Sequence, residues 1–207
     1  KASRHLGCRM LLNAPPREAA GEEGFTGLDA LCRECDVITF HTPLTRTGDF
    51  PTYHMGNADF FASLLRRPVI INAARGEVVD NEAWLRSLDE GTTSAAVVDT
   101  WENEPDISPE LLKRALIATP HVAGYSADGK ANATRQALTA LCRFFGISPD
   151  FEILPPPLPP DMKPEKDAAL RALQLYNPLN DTAALKASPQ SFEYLRGNYP
   201  LRRETWS

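Results

Sequence analysis

The chain has 207 residues, 43% of them hydrophobic, and a formal net charge of -5 at pH 7. That is enough apolar material for a sizeable core, and the acidic balance argues against broad binding to nucleic acid or to an anionic membrane surface. No apolar run has the length of a bilayer span, "KASRHLGCRM" lacks the layout of a secretory signal, and four cysteines suit free thiols in a reducing cytoplasm better than a disulfide framework.

Residues 1–7, "KASRHLG", read as the end of a helix feeding a first strand at 9–13, "RMLLN". Further short apolar runs lie at 36–40, 68–72, 95–99 and 115–119, each nearly continuous rather than alternating, as expected of strands covered on both faces. Helical patterns fall between them, around 27–35, 56–65, 81–89, 108–114 and 128–145. This alternation predicts an α/β fold, a parallel sheet covered by helices. Ser108 before Pro109 and Glu110 has the makings of an N-cap, Asp80 or Asn81 can cap the helix at 81–89, and Gly91 can close it. Cys32 and Cys35 form a C-x-x-C, but no second pair or histidine cluster completes a metal site, so helix packing is the better reading and no metal is expected.

Composition changes at Gly146. Ten of the 18 prolines lie between Pro149 and Pro200, and "ILPPPLPPDMKP" cannot supply the backbone donors of a helix or sheet. Two more helices are expected beyond it, in "EKDAALRALQLY" and "SPQSFEYLRGNY". This tail is small for a core of its own, so it is expected to pack on another domain or subunit, with Phe192, Tyr194, Leu195 and Tyr199 as anchors.

Ligands of an open parallel sheet gather beyond the carboxyl ends of its strands. The strands at 36–40, 68–72, 95–99 and 115–119 run into "HTPL", "AARG", "DTWENEP" and "PHVAGY", so one edge is expected to collect Thr42, Arg75, Asp99, Glu104, His121, Gly124 and Tyr125. An arginine can grip a carboxylate through two parallel bonds. A histidine can take a hydroxyl proton near neutral pH, and a neighbouring carboxylate fixes its tautomer. Each residue also has a plain alternative: Arg75 as a solvated loop residue, His121 as a structural histidine after proline, Glu104 on a surface turn. His5 and His54 fall outside the set and receive no role, and a strand end accounts for His41.

Three of these stretches, "NAARGEVVD", "VVDTWENEP" and "TPHVAGYS", resemble in order and separation the signatures of the D-2-hydroxyacid dehydrogenase family, over roughly residues 1–146. The resemblance implies a doubly wound, Rossmann-like NAD-binding domain and oxidation of a small 2-hydroxy acid. Arg75 would hold the substrate carboxylate, His121 would remove the C2 hydroxyl proton as hydride leaves for the nicotinamide, and Glu104 would pair with that histidine. Asp99 and Gly124 would line the nicotinamide end, Thr42 would contact the cofactor, and Tyr125 the substrate. No G-x-G-x-x-G occurs in the sequence, so the domain is expected to be truncated at its N-terminus. Ala14 stands where family members carry the acidic residue that binds the adenosine ribose. Arg17 nearby leaves NADP as an alternative, but it belongs to an ordinary "PPR" pattern, and NAD is the expected cofactor.

"HTPLT" and "FEYLRGNYPLRRE" further resemble a branch of the family that has a C-terminal dimerisation domain and acts on a small phosphorylated 2-hydroxy acid. The organisation expected is therefore 1–146 partial dinucleotide-binding domain, 147–165 proline-rich linker and 166–207 partial dimerisation domain, in a homodimer. A dehydrogenase for 3-phosphoglycerate and a non-catalytic dinucleotide-binding scaffold are the alternative readings.

Overall fold

The structure is a computed structural model that describes residues 7–199 and 202–206. The helix expected to end at Gly7 falls largely on residues 1–6, outside the described residues. The chain divides into two compact units, Lys1–Ala118 and Thr119–Ser207.

In the first unit the β-branched and alanine runs become β1 (Val37–Phe40), β2 (Val69–Asn72), β3 (Ala95–Val98) and β4 (Ile117–Ala118). They form one sheet in the order β1-β2-β3-β4, every pair parallel, with Val37 opposite Val69, Val69 opposite Ala95 and Val97 opposite Ile117. Parallel neighbours need crossovers. α1 (Pro15–Ala19) and α2 (Leu28–Glu34) precede β1; α3 (Ala58–Ala62), α4 (Asn81–Glu90) and α5 (Pro109–Arg114) make the crossovers. The reversal of strand order that makes such a fold doubly wound is not among the described strands.

Two expectations need correction. Residues 9–13 form no strand among the described residues: Leu12 accepts a hydrogen bond from the Thr26 amide at 2.7 Å, and Met10 and Leu12 are exposed. A strand exists only through its ladder, and hydrophobicity alone supplies none. Nor are both sheet faces covered alike. Ile38, Phe40, Ile70, Asn72, Ala96 and Val98 are buried, whereas the alternate residues are half-buried in β2 and β3 and exposed in β1. The buried face meets Phe60, Phe61, Trp84 and Leu111, with Phe40 edge-on to Phe60 at 5.6 Å and Phe61 stacked with Trp84 at 6.4 Å.

Capping agrees with the sequence. Asp80 accepts from the amides of Glu82 and Ala83, Ser108 accepts from Leu111, and Gly91 closes α4 in the left-handed conformation at φ 72°. Cys32 is buried in α2, and burial pushes the Cys35 thiol up, away from the thiolate that redox or metal work needs. Among the described residues no cluster of His, Cys, Asp and Glu could hold a metal ion.

The second unit is built on α6 (Ala127–Phe145), capped by Ser126 at its start and by Gly146 at φ 67° at its end. The proline segment then carries no helix or strand until α7 (Ala168–Leu175), after which come α8 (Pro178–Ala187) and α9 (Phe192–Gly197). Thr182, Leu185 and Phe192 form a small buried cluster between α8 and α9. Phe192 therefore serves its own unit and not a partner, while Tyr194 stays 68% exposed. The C-terminal segment folds back on the first turn of α6: Arg203 grips Asp128 with two hydrogen bonds at 2.9 and 3.2 Å, the Glu204 amide donates to Asp128 at 2.8 Å, and the Ala127 amide donates to the Arg202 carbonyl at 2.9 Å.

Candidate active site

The expected site residues divide between the two units: Ala14, Thr42, Arg75, Asp99 and Glu104 in the first, His121, Gly124 and Tyr125 in the second.

In the first unit, the carboxyl ends of β1 and β2 open into a cleft of about 520 Å³ lined by His41, Thr42, Pro43, Leu44, Ala73, Ala74 and Arg75. Thr42 and Arg75 thus meet in one cleft. Its shape has a local cause. Asn72 ends β2 fully buried, and its amide donates to the carbonyl of Arg75 at 3.0 Å and also reaches those of Gly76 and Thr100. Its side-chain oxygen accepts from the Ala74 amide at 3.2 Å. One asparagine thereby clamps the turn that carries Arg75. Arg75 itself is exposed, with one guanidinium nitrogen on the Ala74 carbonyl at 2.6 Å and the rest of its fork available to an anion. The lining suits part of a dinucleotide, being small at Ala73 and Ala74 and apolar at Pro43 and Leu44.

After β3, buried Asp99 donates its amide to the Asn72 carbonyl at 2.9 Å, which ties this loop to the Arg75 turn. Glu104 uses one oxygen to accept from the Trp101 amide at 2.8 Å, closing the turn 101–104 in which Asn103 adopts φ 61°. His54, outside the expected set, has a structural role: its Nε2 lies 2.6 Å from Glu102, whose second oxygen accepts from the Asn81 amide at 2.9 Å. The residues after β1 are thus fastened to the loop that bears Glu104. Asn72 carried a signal, a polar residue ending an apolar strand; the pairing of His54 with Glu102 carried none.

In the second unit, His121, Gly124 and Tyr125 share one tight turn, closed by the Tyr125 amide on the Val122 carbonyl at 2.8 Å. The guanidinium of Arg202 also donates to that carbonyl. His121 has φ 54°, a left-handed conformation that costs a non-glycine residue roughly 1–3 kcal/mol and clusters at functional sites. Gly124 is exposed and a Cβ built on it meets nothing, so the turn is open on that side.

Ala14 sits before α1 with its carbonyl accepting from Arg17 and Glu18. The neighbouring Arg17 guanidinium is held by Glu22, with Nε at 3.0 and 3.1 Å from its two oxygens, and Glu22 in turn has its carboxyl pulled below the usual range by that contact. A positive charge so occupied is a poor receptor for a 2′-phosphate.

Residues 1–123 match the family described as D-isomer specific 2-hydroxyacid dehydrogenase, NAD binding domain. This chain belongs to that family. Its relatives include the erythronate-4-phosphate dehydrogenases of Bacteroides thetaiotaomicron, 50% identical over 99% of this chain and 59% of the relative, and of Porphyromonas gingivalis, 42% identical over 96% of this chain and 56% of the relative. The chain thus spans well under two thirds of those relatives' lengths. Among solved structures, apo D-mandelate dehydrogenase of Rhodotorula graminis is 27% identical with a TM-score of 0.54, over 71% of this chain and 43% of that one. The NAD-complexed D-isomer specific 2-hydroxyacid dehydrogenase of Lactobacillus delbrueckii ssp. bulgaricus is 29% identical with a TM-score of 0.51, over 60% and 42%. As a member of the 2-hydroxyacid dehydrogenase family, the chain carries a Rossmann-type NAD-binding domain on its parallel sheet.

Proposed function

We propose that this chain is part of an NAD-dependent oxidoreductase that oxidises the 2-hydroxyl of erythronate 4-phosphate to the 2-oxo acid. The 50% identity over 99% of the chain to an erythronate-4-phosphate dehydrogenase carries this reading. NAD, when bound, accepts the hydride; the chain's residues bind, orient and move the proton. Arg75 holds the substrate carboxylate and polarises the oxygen at C2. His121 takes the hydroxyl proton as general base, and Glu104 stabilises the resulting imidazolium. Thr42, Asp99 and Gly124 line the cofactor, Tyr125 contacts the substrate, and Ala14 faces the adenosine ribose.

The Glu22 grip on Arg17 supports NAD over NADP. A cytoplasmic location belongs to the same reading. No described helix is long and apolar enough to cross a membrane. The domain limits, with the nucleotide-binding part to 146, a linker at 147–165 and a dimerisation part at 166–207, belong to the same reading, and the tail would form the homodimer through exposed residues such as Tyr194.

The test is turnover by purified full-length protein, with erythronate 4-phosphate and 3-phosphoglycerate offered separately and NADH formation monitored. The reading expects a higher kcat/KM for erythronate 4-phosphate; a preference for 3-phosphoglycerate, or no turnover of either, overturns it. Deleting the residues after Gly146 should give monomers in sedimentation, and a persistent dimer would refute the role of the tail.

A further inference from the structure

Two cations beside Tyr125 have no part in the roles above. Arg196 donates to the Tyr125 hydroxyl at 3.5 Å. The ammonium of Lys130 lies 5.1 Å from the centre of the Tyr125 ring and 4.6 Å from that of Tyr199, the two rings being 5.2 Å apart and tilted by 51°. Lys130 is engaged by rings rather than by a carboxylate, and it is exposed. Arg196 is half-buried, with exposed Glu193 at 3.8 Å from its other terminal nitrogen.

The other arginines near this turn are differently employed. Arg202 is buried on the Val122 carbonyl and over the Tyr176 ring at 4.1 Å, and Arg203 is buried on Asp128. Those two hold the scaffold. Lys130 and Arg196 keep donors to spare, and two cations that share one tyrosine, Lys130 over its ring and Arg196 at its hydroxyl, repel each other less when an anion lies between them.

We propose that Lys130, Arg196 and the Tyr125 hydroxyl form a phosphate subsite for the phosphomonoester dianion of the substrate. The proposal rests on the reading of the substrate as a phosphorylated 2-hydroxy acid. Its chemistry suits the donors: a guanidinium edge, a point charge and a phenol can each take a phosphate oxygen. Its location suits the turn. Tyr125 is four residues on from His121, and in erythronate 4-phosphate the phosphate is attached two carbons beyond the C2 that reacts. A phosphate on so short a carbon chain must bind close to the turn that carries the base.

The experiment compares full-length wild type with Lys130→Gln and Arg196→Gln, using erythronate 4-phosphate and unphosphorylated D-erythronate. Lys130 is exposed, so its variant tests the idea even if Arg196→Gln folds poorly. The ratio of kcat/KM for the phosphorylated over the unphosphorylated substrate should fall roughly 10–100-fold in each variant, through KM, as for a lost charged hydrogen-bond partner. An unchanged ratio overturns the proposal and leaves the cluster as a clamp on the tail. A raised KM for NAD with an unchanged ratio also overturns it, because the anion held there would then be the cofactor pyrophosphate. Inorganic phosphate binding by calorimetry separates this idea from the reading beneath it. If wild type turns over neither substrate but binds phosphate and both variants do not, the subsite stands while the erythronate reading falls.

Discussion

Gly76 lies so close to the main chain of Trp101 that a Cβ built on it would sit 1.9 Å from the Trp101 carbonyl oxygen. The loop after β3 passes directly over the turn after β2, and Asn72 stitches the two together through the carbonyls of Arg75 and Thr100. The neighbour is backbone and cannot step aside like a flexible side chain. Gly76→Ala should therefore cost about 1–3 kcal/mol, as for overpacking in a well-packed interior, and should displace both Arg75 and the loop bearing Glu104. Denaturant midpoints and kcat/KM of the full-length variant check this. Wild-type values in both would mean that the two loops are more loosely joined than the structure has them.

Much of this was readable beforehand, and the reasons differ by residue. Val69–Asn72 and Ala95–Val98 are legible as strands because each is a short apolar run with β-branched residues, bounded by turn residues and too short for a helix. Asp80, Ser108 and Gly91 were legible because capping is local chemistry, settled within three or four residues. Residues 9–13 misled because a strand needs a partner, and the sequence says nothing of where one lies. The short "AARG" stretch points to Arg75, which lines the cleft, but not to the Asn72 clamp that sets its turn, nor to the His54–Glu102 contact across 48 positions. Lys130 and Arg196 lie 66 positions apart and share Tyr125 only through the fold of this unit.

In the proposed reading, cofactor choice turns on Ala14. The Arg17 guanidinium is already matched by Glu22, so under the proposed placement of Ala14 discrimination at the ribose would rest on position 14. Ala14→Asp should add an acceptor for the 2′-hydroxyl and repel a 2′-phosphate, raising the ratio of kcat/KM for NAD over NADP. The ratio measured in the full-length variant decides the matter: if it does not move, Ala14 does not face the ribose.

Proton transfer should fail in a graded way. His121→Ala removes the proposed base and should lower kcat by about 10²–10⁴-fold, the usual contribution of a general acid–base group. Glu104→Gln keeps the shape and the hydrogen bond to the Trp101 amide but removes the charge proposed to stabilise the imidazolium. It should cost less than His121→Ala, and the loss should appear in kcat rather than in KM for NAD. Near-normal kcat in His121→Ala would take that residue out of the mechanism.

The anchoring of the C-terminal segment should be sensitive to acid, in a direction fixed by Asp128. Two hydrogen bonds from Arg203 hold the Asp128 carboxyl below the usual carboxylate range, helped by the Glu204 amide, and both side chains of the pair are largely buried, at 14% and 7% exposure. A group with a depressed folded-state pKa binds fewer protons folded than unfolded, so its stabilisation is fully present above the unfolded value of about 3.9. It fades as pH falls through the lower folded value. Asp128→Asn removes the charge that Arg203 grips with two hydrogen bonds and should lower the stability of this unit by roughly 3–5 kcal/mol at neutral pH. The gap between wild type and variant should stay constant down to the ordinary carboxylate range and narrow only below it. Unfolding free energies of both proteins across that range, with amide exchange of residues 202–206 as a local probe, carry the test. A gap that closes already near neutrality would assign the stabilisation to some other titrating group, and no gap at all would mean that the Arg203–Asp128 contact does not hold the segment down.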